Sequence, residues 1–597
     1  MSKIGTKRVP NEGPKDARIY FVGEAPGSDE VDAGRPFVGV SGTLLRDCLG
    51  RNGIAEASVR FANLCQYRPE DNKFANVVGS RELEAGIEEL TRDLRDHRPN
   101  VVAALGAWPL LYLTSKRGKK APGTGIIKWR GSILPCTLPG CEGIKVIPTF
   151  HPAFVVRKRN EYPIFDTDMK RIKFDSSFPE LRHPEYKFTL NPMQDKLQAC
   201  VEELLAAPYL AVDIESVKKS THILCVSYSP SPYRSIVIPF SYTDFARVEA
   251  HQRLLTSDIP KVFHNAAFDI PMLALNGIKV KNLGWDTMFA QHAMWAELPK
   301  SLEYLTSVHT RQPYYKTEGR AEIPSDAKRW DEKFDRRALY EYNAKDTAVT
   351  ALIYEAQKKE MDEGPPEWRE IFDFELASLE VTTYLSLAGM PVDVPYKERL
   401  RIELKKRWAI LQFILNQLTG FETNVNSTKA MPKILYDKDK MGLPARKNRQ
   451  GNFTTDEDAI VSLIGFVKDK ISKLKAGGVA QQYWLTRAKV LDLVLEIRGI
   501  RKLLSSYVNS PISEDGRVRG QYKGPVTDTG RWAAGMFFDG TGFNPQTVPR
   551  EVFEIKDYAA VPALQDLMNK IDELEGLDRK EEEDASDEDA DSSEAAA

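Results

Sequence analysis

Asp213 and Glu215 stand on either side of one residue in the stretch "AVDIES". The run reads as a strand, and alternate side chains of a strand share a face, so both carboxylates point the same way. "VFHNAAFDIPML" adds Asp269 at a strand-to-helix junction. "YEYNAKDTAVTALIY" adds Tyr342 and Asp346, four residues apart and hence on one face of a helix. Carboxylates that converge in this way repel one another unless divalent cations bind between them. The chemistry such a set supports is metal-assisted hydrolysis.

A second group lies earlier. "VGEAPGSDEVDAGRPFVGVSGTLL" ends a strand and enters a helix. Gly23 and Gly27 let the backbone turn sharply and approach a ligand closely on either side of Glu24. "PTFHPAFVVR" places His151 at the end of a later strand. Sheets of this class put their sites at the carboxyl ends of strands, so Glu24 and His151 are expected to converge.

The elements that must position these groups follow from the hydrophobic pattern. Over residues 18–155, "RIYFVG", "VRFANLC", "VVAAL" and "KVIPTF" read as buried strands, with the amphipathic "SRELEAGIEELTRDLRDH" between two of them. That alternation predicts a parallel α/β sheet. Residues 163–190 are Pro-rich and aperiodic and read as a linker. A second α/β unit spans about 191–362, and from 366 to about 508 apolar residues recur at helical spacing. The expected fold is multidomain α/β: domain 1–165, linker 166–190, domain 191–362, a helical region over 363–558 and a disordered acidic tail over 559–597.

Composition bounds the class. The 597 residues are 42% hydrophobic and 28% charged, ordinary for a globular protein and too many for one core. The sequence has no apolar run long enough to span a membrane and no signal-peptide core, so a cytoplasmic location is expected. The six cysteines form no CxxC pair; Cys136 and Cys141 read as free thiols. The net charge of −2 conceals an asymmetry, because residues 571–597 hold thirteen acidic and two basic side chains. The rest of the chain is therefore net positive, as suits a phosphate-binding surface. The tail could be solubilising, a partner contact or an intramolecular mimic of DNA.

Over residues 8–158 the sequence resembles the uracil-DNA glycosylase superfamily, especially its thermophilic-type fourth family, through "NEGPKDARIYFVGEAPG", "GRPFVG", the Asn63 strand, "VVAALG" and "PTFHPAFVVR". The resemblance implies that Phe37 stacks on a flipped base, Asn63 hydrogen-bonds its Watson–Crick edge and His151 stabilises the departing uracil anion. Glu24 would position or activate water, or hold the pocket in shape. The family carries four cysteines for an iron–sulfur cluster. Here none precedes "RIYFVG", Tyr67 stands where the third would fall and "LEAGIEEL" lacks the fourth. No cluster is expected.

Residues 191–362 resemble the DEDD-type 3′–5′ exonucleases in their tyrosine variant, with the ribonuclease H-like fold and Asp286 of "WDTMFAQ" at a familiar intermediate position. The resemblance implies two Mg²⁺ or Mn²⁺ ions, one held by Asp213, Glu215 and Asp346 and the second shared by Asp213, with Asp269 close by. Tyr342 would orient the attacking water.

Residues 366–550 resemble the thumb and palm entrance of family A DNA polymerases. "RGIRKLLSSYV" (Arg498, Lys502) fits the thumb helix. Thr529, Gly530, Arg531, Asn544, Gln546 and Pro549 match the TGR…NxQxxPR signature. Arg531 could contact phosphate or serve as a framework residue; with Asn544 and Gln546 it is a candidate for binding primer–template DNA. The palm aspartates and the fingers are expected on a second polypeptide, since Asp557 better fits the hairpin before the first palm aspartate. The implied function is a subunit of a split, bacteriophage-like replicative polymerase, supplying proofreading, a thumb and a uracil-recognising or uracil-excising domain. Glycosylase-like domains fused ahead of such polymerases are familiar in some large phages, and a viral origin would imply a bacterial host cytoplasm. A non-catalytic DNA-binding scaffold and a stand-alone nuclease–glycosylase are the alternatives.

Overall fold

The computed structural model describes residues 4–118, 123–316, 336–448 and 451–548. Asp557, Pro549 and the acidic tail lie outside the described residues. The chain divides into two compact units, one of Met1–Leu387 with Tyr522–Ala533 and one of Ala388–Gln521 with Ala534–Ala597. No helix among the described residues is long and apolar enough to cross a membrane.

Besides a two-stranded antiparallel ribbon of Ile4–Arg8 with Tyr67–Pro69, the first unit contains two large sheets. In one, the strands Val59–Asn63, Ile19–Gly23, Val101–Leu105 and Lys145–Thr149 run parallel in that spatial order, and Leu134–Pro135 adds a short antiparallel edge. Every residue of the four parallel strands is buried, the pattern of a sheet covered on both faces. The direction of winding reverses between Ile19–Gly23 and Val101–Leu105. A crevice opens at the carboxyl ends of strands at such a point.

The second sheet has six strands, in the order Leu283–Asp286, Lys261–Phe263, Leu210–Ser216, Ile223–Ser231, Arg234–Pro239 and Lys187–Leu190. The long helix Arg336–Glu363 packs across it. Ser227 Oγ donates to the carbonyl of Asn343 (2.9 Å), which fixes the helix over the central strands.

The stretch that reads as a linker is mostly structured. Tyr162–Asp175 is a helix with Ile164, Phe165, Met169 and Ile172 buried, and Lys187–Leu190 is already the edge strand of the second sheet. Only residues 176–186 carry neither helix nor strand. Pro163 is the cause of the misreading: in a first turn it lacks only an N–H that would have no intrahelical partner, so it starts a helix as readily as it breaks one.

One apolar cluster runs from Phe21 and Phe61 of the first sheet through Phe165 to Leu305, Tyr315 and Tyr342, which lie on the segments that flank the second sheet. A buried ion pair ties the same seam. Arg130 Nε and Thr149 Oγ1 donate to Asp168 Oδ2 at 3.0 and 2.7 Å, and Arg130 Nη1 donates to Ser307 Oγ at 3.1 Å. Removing one member strands a buried charge, so Asp168→Ala is expected to destabilise the first unit by about 3–5 kcal/mol. Urea unfolding checks this; a wild-type midpoint would rule out the pair as a tie.

The second unit is helical, with Val394–Thr419, Ala430–Tyr436, Glu457–Ser472 and Val479–Leu503 around Leu411, Leu415, Ile460, Leu463 and Val494. Asp393 and Asp456 cap two of these helices by accepting from Tyr396 N and Ala459 N, each at 2.9 Å. Arg498 Nε donates to the Val425 carbonyl at 2.8 Å, which makes it a framework residue. The preceding helix Pro366–Ala388, expected to open this region, falls with the first unit through Leu387.

Two candidate active sites

The first site lies at the reversal of winding. Glu24, Phe37, Asn63 and His151 all line one cavity of about 560 Å³. Two glycines make the convergence possible. A Cβ on Gly23 would stand 2.5 Å from Asn63 Oδ1 and 2.7 Å from Phe37 Cζ. A Cβ on Gly106, whose φ is +102°, would stand 3.0 Å from Glu24 Oε1 and 3.2 Å from His151 Cβ. Phe37 itself has φ 54°, a left-handed conformation costly for an aromatic residue. Arg46 holds it there by donating from Nε to the Phe37 carbonyl (3.0 Å) and from Nη2 to that of Pro36 (3.1 Å).

His151 caps the helix Pro152–Arg157, and its Nδ1 accepts the Ala153 N–H at 3.2 Å. The ring proton is therefore on Nε2. Desolvation, helped by the charge of Arg157, pushes the imidazole down to about 4. It is a neutral donor at physiological pH. Desolvation pushes Glu24 the other way, up to about 7, against a backbone hydrogen bond from Trp108 and the charge of Arg157. One pocket thus holds a neutral hydrogen-bond donor, a carboxyl that titrates near neutrality and an arginine at its wall, a combination able to receive negative charge and to take a proton from water. Gly106 and Arg157 end stretches that carry the resemblance, but their roles, like that of Arg46, had no local signal, because each acts through a fold-level approach.

At the second site, one carboxylate oxygen each from Asp213, Glu215 and Asp346 lie within 4.8 Å of one another. The strand Leu210–Ser216 supplies the first two by alternation and the helix Arg336–Glu363 the third. Asp269 does not join that group. It is buried in the helix Ala266–Leu275, where its Oδ1 accepts the N–H of Ile214 (3.1 Å), the residue between the two strand carboxylates. Its position braces the strand. Asp286 is likewise a clamp, accepting from the N–H groups of Asn265, Ala266, Met288 and Phe289 at 3.2, 2.6, 2.8 and 3.2 Å.

Desolvation and then the neighbouring Asp346 push Asp213 up to about 8, against the charge of Lys316 and a hydrogen bond from Asn343 Nδ2 (2.6 Å). Burial and Asp213 likewise raise Asp269. Buried carboxyls raised by desolvation and by one another's charge fit a hard divalent cation. Asp213, Glu215 and Asp346 would hold it, and when bound it would supply compensating charge and an activated water. Tyr342 is buried, and its hydroxyl accepts from Lys316 Nζ (3.1 Å). Lys316 and its neighbour Tyr315 also grip Asp346, a pairing without sequence signal because the irregular stretch 310–315 delivers them. Among the described residues this is the one group of three or more metal-ligating side chains, and no cysteine joins it; all six thiols are free and buried.

The polymerase-like signature divides between the units. Arg531 is exposed, in the segment that folds with the first unit, so it is no buried framework residue. In the second unit Asn544 Oδ1 accepts from Gln546 N (2.9 Å), and the Gln546 side chain is exposed.

The sequence model of the uracil DNA glycosylase superfamily matches residues 10–175, and that of a 3′-5′ exonuclease matches residues 192–362. The type-4 uracil-DNA glycosylase of Thermotoga maritima is 39% identical over 155 residues, covering 26% of this chain and 74% of that protein. DNA polymerase I of Synechocystis is 26% identical over 285 residues, 46% of this chain and 26% of the polymerase. The chain thus spans about a quarter of that relative's length. The solved POL domain of Pol1 from M. smegmatis, in complex with DNA primer-template and dNTP, aligns with a TM-score of 0.43 and 18% identity over 61% of this chain and 56% of that one.

Proposed function

We propose, from the premise that this chain belongs through residues 10–175 to the uracil DNA glycosylase superfamily, that it is a DNA-processing enzyme which excises uracil at its first site and trims 3′ ends at its second. The observation that carries the reading is the closure of Asp213, Glu215 and Asp346 to within 4.8 Å beside the Tyr342 hydroxyl. In the second site those carboxylates would hold Mg²⁺ or Mn²⁺, with Asp213 the shared ligand if two ions bind, and Tyr342 would orient water. In the first, Phe37 stacks on the extruded base, Asn63 reads its edge, and His151 Nε2–H receives the charge that develops on uracil. Incubating the pure chain with uracil-containing and 3′-recessed DNA tests both sites at once. Chelation with EDTA is expected to stop 3′ trimming and to leave uracil release intact. A scaffold would yield neither product.

Glu24 is assigned here as the base that activates water. Its carboxyl holds a proton below about 7. Uracil release is therefore expected to rise as pH climbs through that value and to level off above it. Glu24→Gln should remove that limb from the pH–rate profile; a limb that survives the substitution belongs to another group.

The helical second unit would grip primer–template as a thumb, with Asn544 and Gln546 toward DNA, and palm and fingers would come from a second polypeptide; Arg531, which folds with the first unit, is a separate candidate for contacting DNA. The length of the DNA polymerase I alignment, greater than the exonuclease domain alone, supports the thumb. Affinity purification from the native source tests the companion: a stable monomer with no palm-bearing chain would sink the split arrangement.

A further inference from the structure

The carboxylate cluster already contains a positive charge. Lys316 Nζ donates to Asp346 Oδ2 at 2.5 Å and to the Tyr342 hydroxyl at 3.1 Å. Its ammonium also lies 4.9 Å from the Tyr342 ring centroid. Tyr315 Oη donates to the other oxygen of Asp346 at 2.5 Å. Both oxygens of one expected cation ligand are thus engaged, and the lysine is only 6% exposed. A lysine is rarely buried so deeply without a paired charge, and here the pair is a carboxylate that a divalent cation would otherwise claim.

The loop that delivers this lysine is anchored on the glycosylase-like domain. Arg171 Nη2 donates to the Val308 carbonyl (3.2 Å), and Arg311 Nη1 to Asp175 Oδ1 (2.7 Å). Tyr314 N donates to Ser132 Oγ (3.1 Å), and the Tyr314 ring meets Trp129 edge-on at 5.3 Å. The next two residues are Tyr315 and Lys316. The helix Ile126–Trp129 that carries this anchor also lends Ile126 to the wall of the first cavity.

We propose that Lys316 is a resident counter-cation of the exonuclease cluster, set in place by a strap fastened to the glycosylase-like domain, and that a divalent cation must displace it from Asp346 to bind. The proposal rests on the exonuclease reading of this cluster. A single ammonium neutralises the carboxylates in the absence of metal. A doubly charged ion competes for the same oxygens and is repelled for as long as the ammonium remains. The flexible lysine stem lets the head group swing aside once it is displaced.

Mn²⁺ binding to the full chain, followed by the electron paramagnetic resonance signal of the free ion, tests this without any activity readout. Lys316→Met is expected to bind Mn²⁺ about tenfold more tightly, since a nearby like charge has been removed. Without metal this variant should melt lower than wild type, and Mn²⁺ should raise its melting temperature by more. Lys316→Arg, which keeps the charge, should stay nearer wild type. Trp129→Ala, which removes the ring under Tyr314, should shift affinity in the direction of Lys316→Met; an unchanged affinity there overturns the anchoring. Wild-type Mn²⁺ affinity and a wild-type Mn²⁺-induced rise in Lys316→Met overturn the counter-cation. Asp213→Asn separates the two readings. If it binds Mn²⁺ as wild type does, the exonuclease site itself is misassigned, whereas loss of binding there beside an unchanged Lys316→Met refutes the lysine alone.

Discussion

Replacing Asp213 with alanine is expected to abolish the proposed 3′-end trimming while leaving the fold intact. The expected loss is on the order of 10³-fold or more, the scale seen when a residue on which a catalytic group depends as a unit is removed. Asp213 has this weight because it faces Asp346 across the cluster, accepts from Asn343 and is the shared ligand if two ions bind. The stability control is favourable. A carboxyl pushed up to about 8 by desolvation and by like charge destabilises the ionised folded state, so alanine relieves repulsion and should not lower the unfolding midpoint. A loss of trimming with unchanged or raised stability therefore reads as chemistry. Asn343→Ala should give a graded version, with a loss of roughly 10- to 100-fold, because it removes the group that orients Asp213 and leaves the ligand itself. Full trimming by Asp213→Ala would end the assignment, whatever the metal content.

The groups that the sequence made visible are those whose geometry is local. Alternation along Leu210–Ser216 puts Asp213 and Glu215 on one face, and a four-residue helical step puts Tyr342 and Asp346 on one face; the structure brings three of these carboxylates together as that periodicity requires. Glu24 and His151 were legible for a related reason, since each follows a buried strand and strand ends share one rim of a parallel sheet. What escaped depends on contacts across long separations. Asp269 carries the residue type of a ligand, yet its carboxylate is engaged by the Ile214 N–H. Lys316 reaches Asp346 from the end of an irregular stretch with no periodicity to read. Tyr162–Asp175 hid behind Pro163, although its apolar residues at 164, 165, 169 and 172 fall at helical spacing. The core that joins the first sheet to the helices flanking the second could not be anticipated from either sheet's pattern, which is equally compatible with two independent domains.

His151→Ala is expected to lower uracil release about 10²- to 10³-fold, the usual consequence of removing one donor aimed at a developing oxyanion. The form of the loss matters as much as its size. The imidazole is held down at about 4 and its Nδ1 is occupied by the Ala153 N–H, so it offers the same Nε2 proton at every pH above about 5. His151 therefore contributes to the height of the pH–rate profile and not to its shape, whereas the limb near 7 comes from Glu24. Alanine at 151 should lower the plateau and leave the limb where it stands; glutamine at 24 should do the reverse. Because neither group needs a metal, both effects should persist in EDTA, in contrast to every effect at Asp213. Gly23→Ala adds a steric check on the same pocket, since its new methyl would fall 2.5 Å from Asn63 Oδ1 and 2.7 Å from Phe37 Cζ. That methyl occupies the space between the group proposed to read the base and the ring proposed to stack on it, so uracil release should fall with the pH limb unmoved. If His151→Ala instead shifts the limb, the imidazole is titrating in the working range, and the roles given to the two groups must be exchanged.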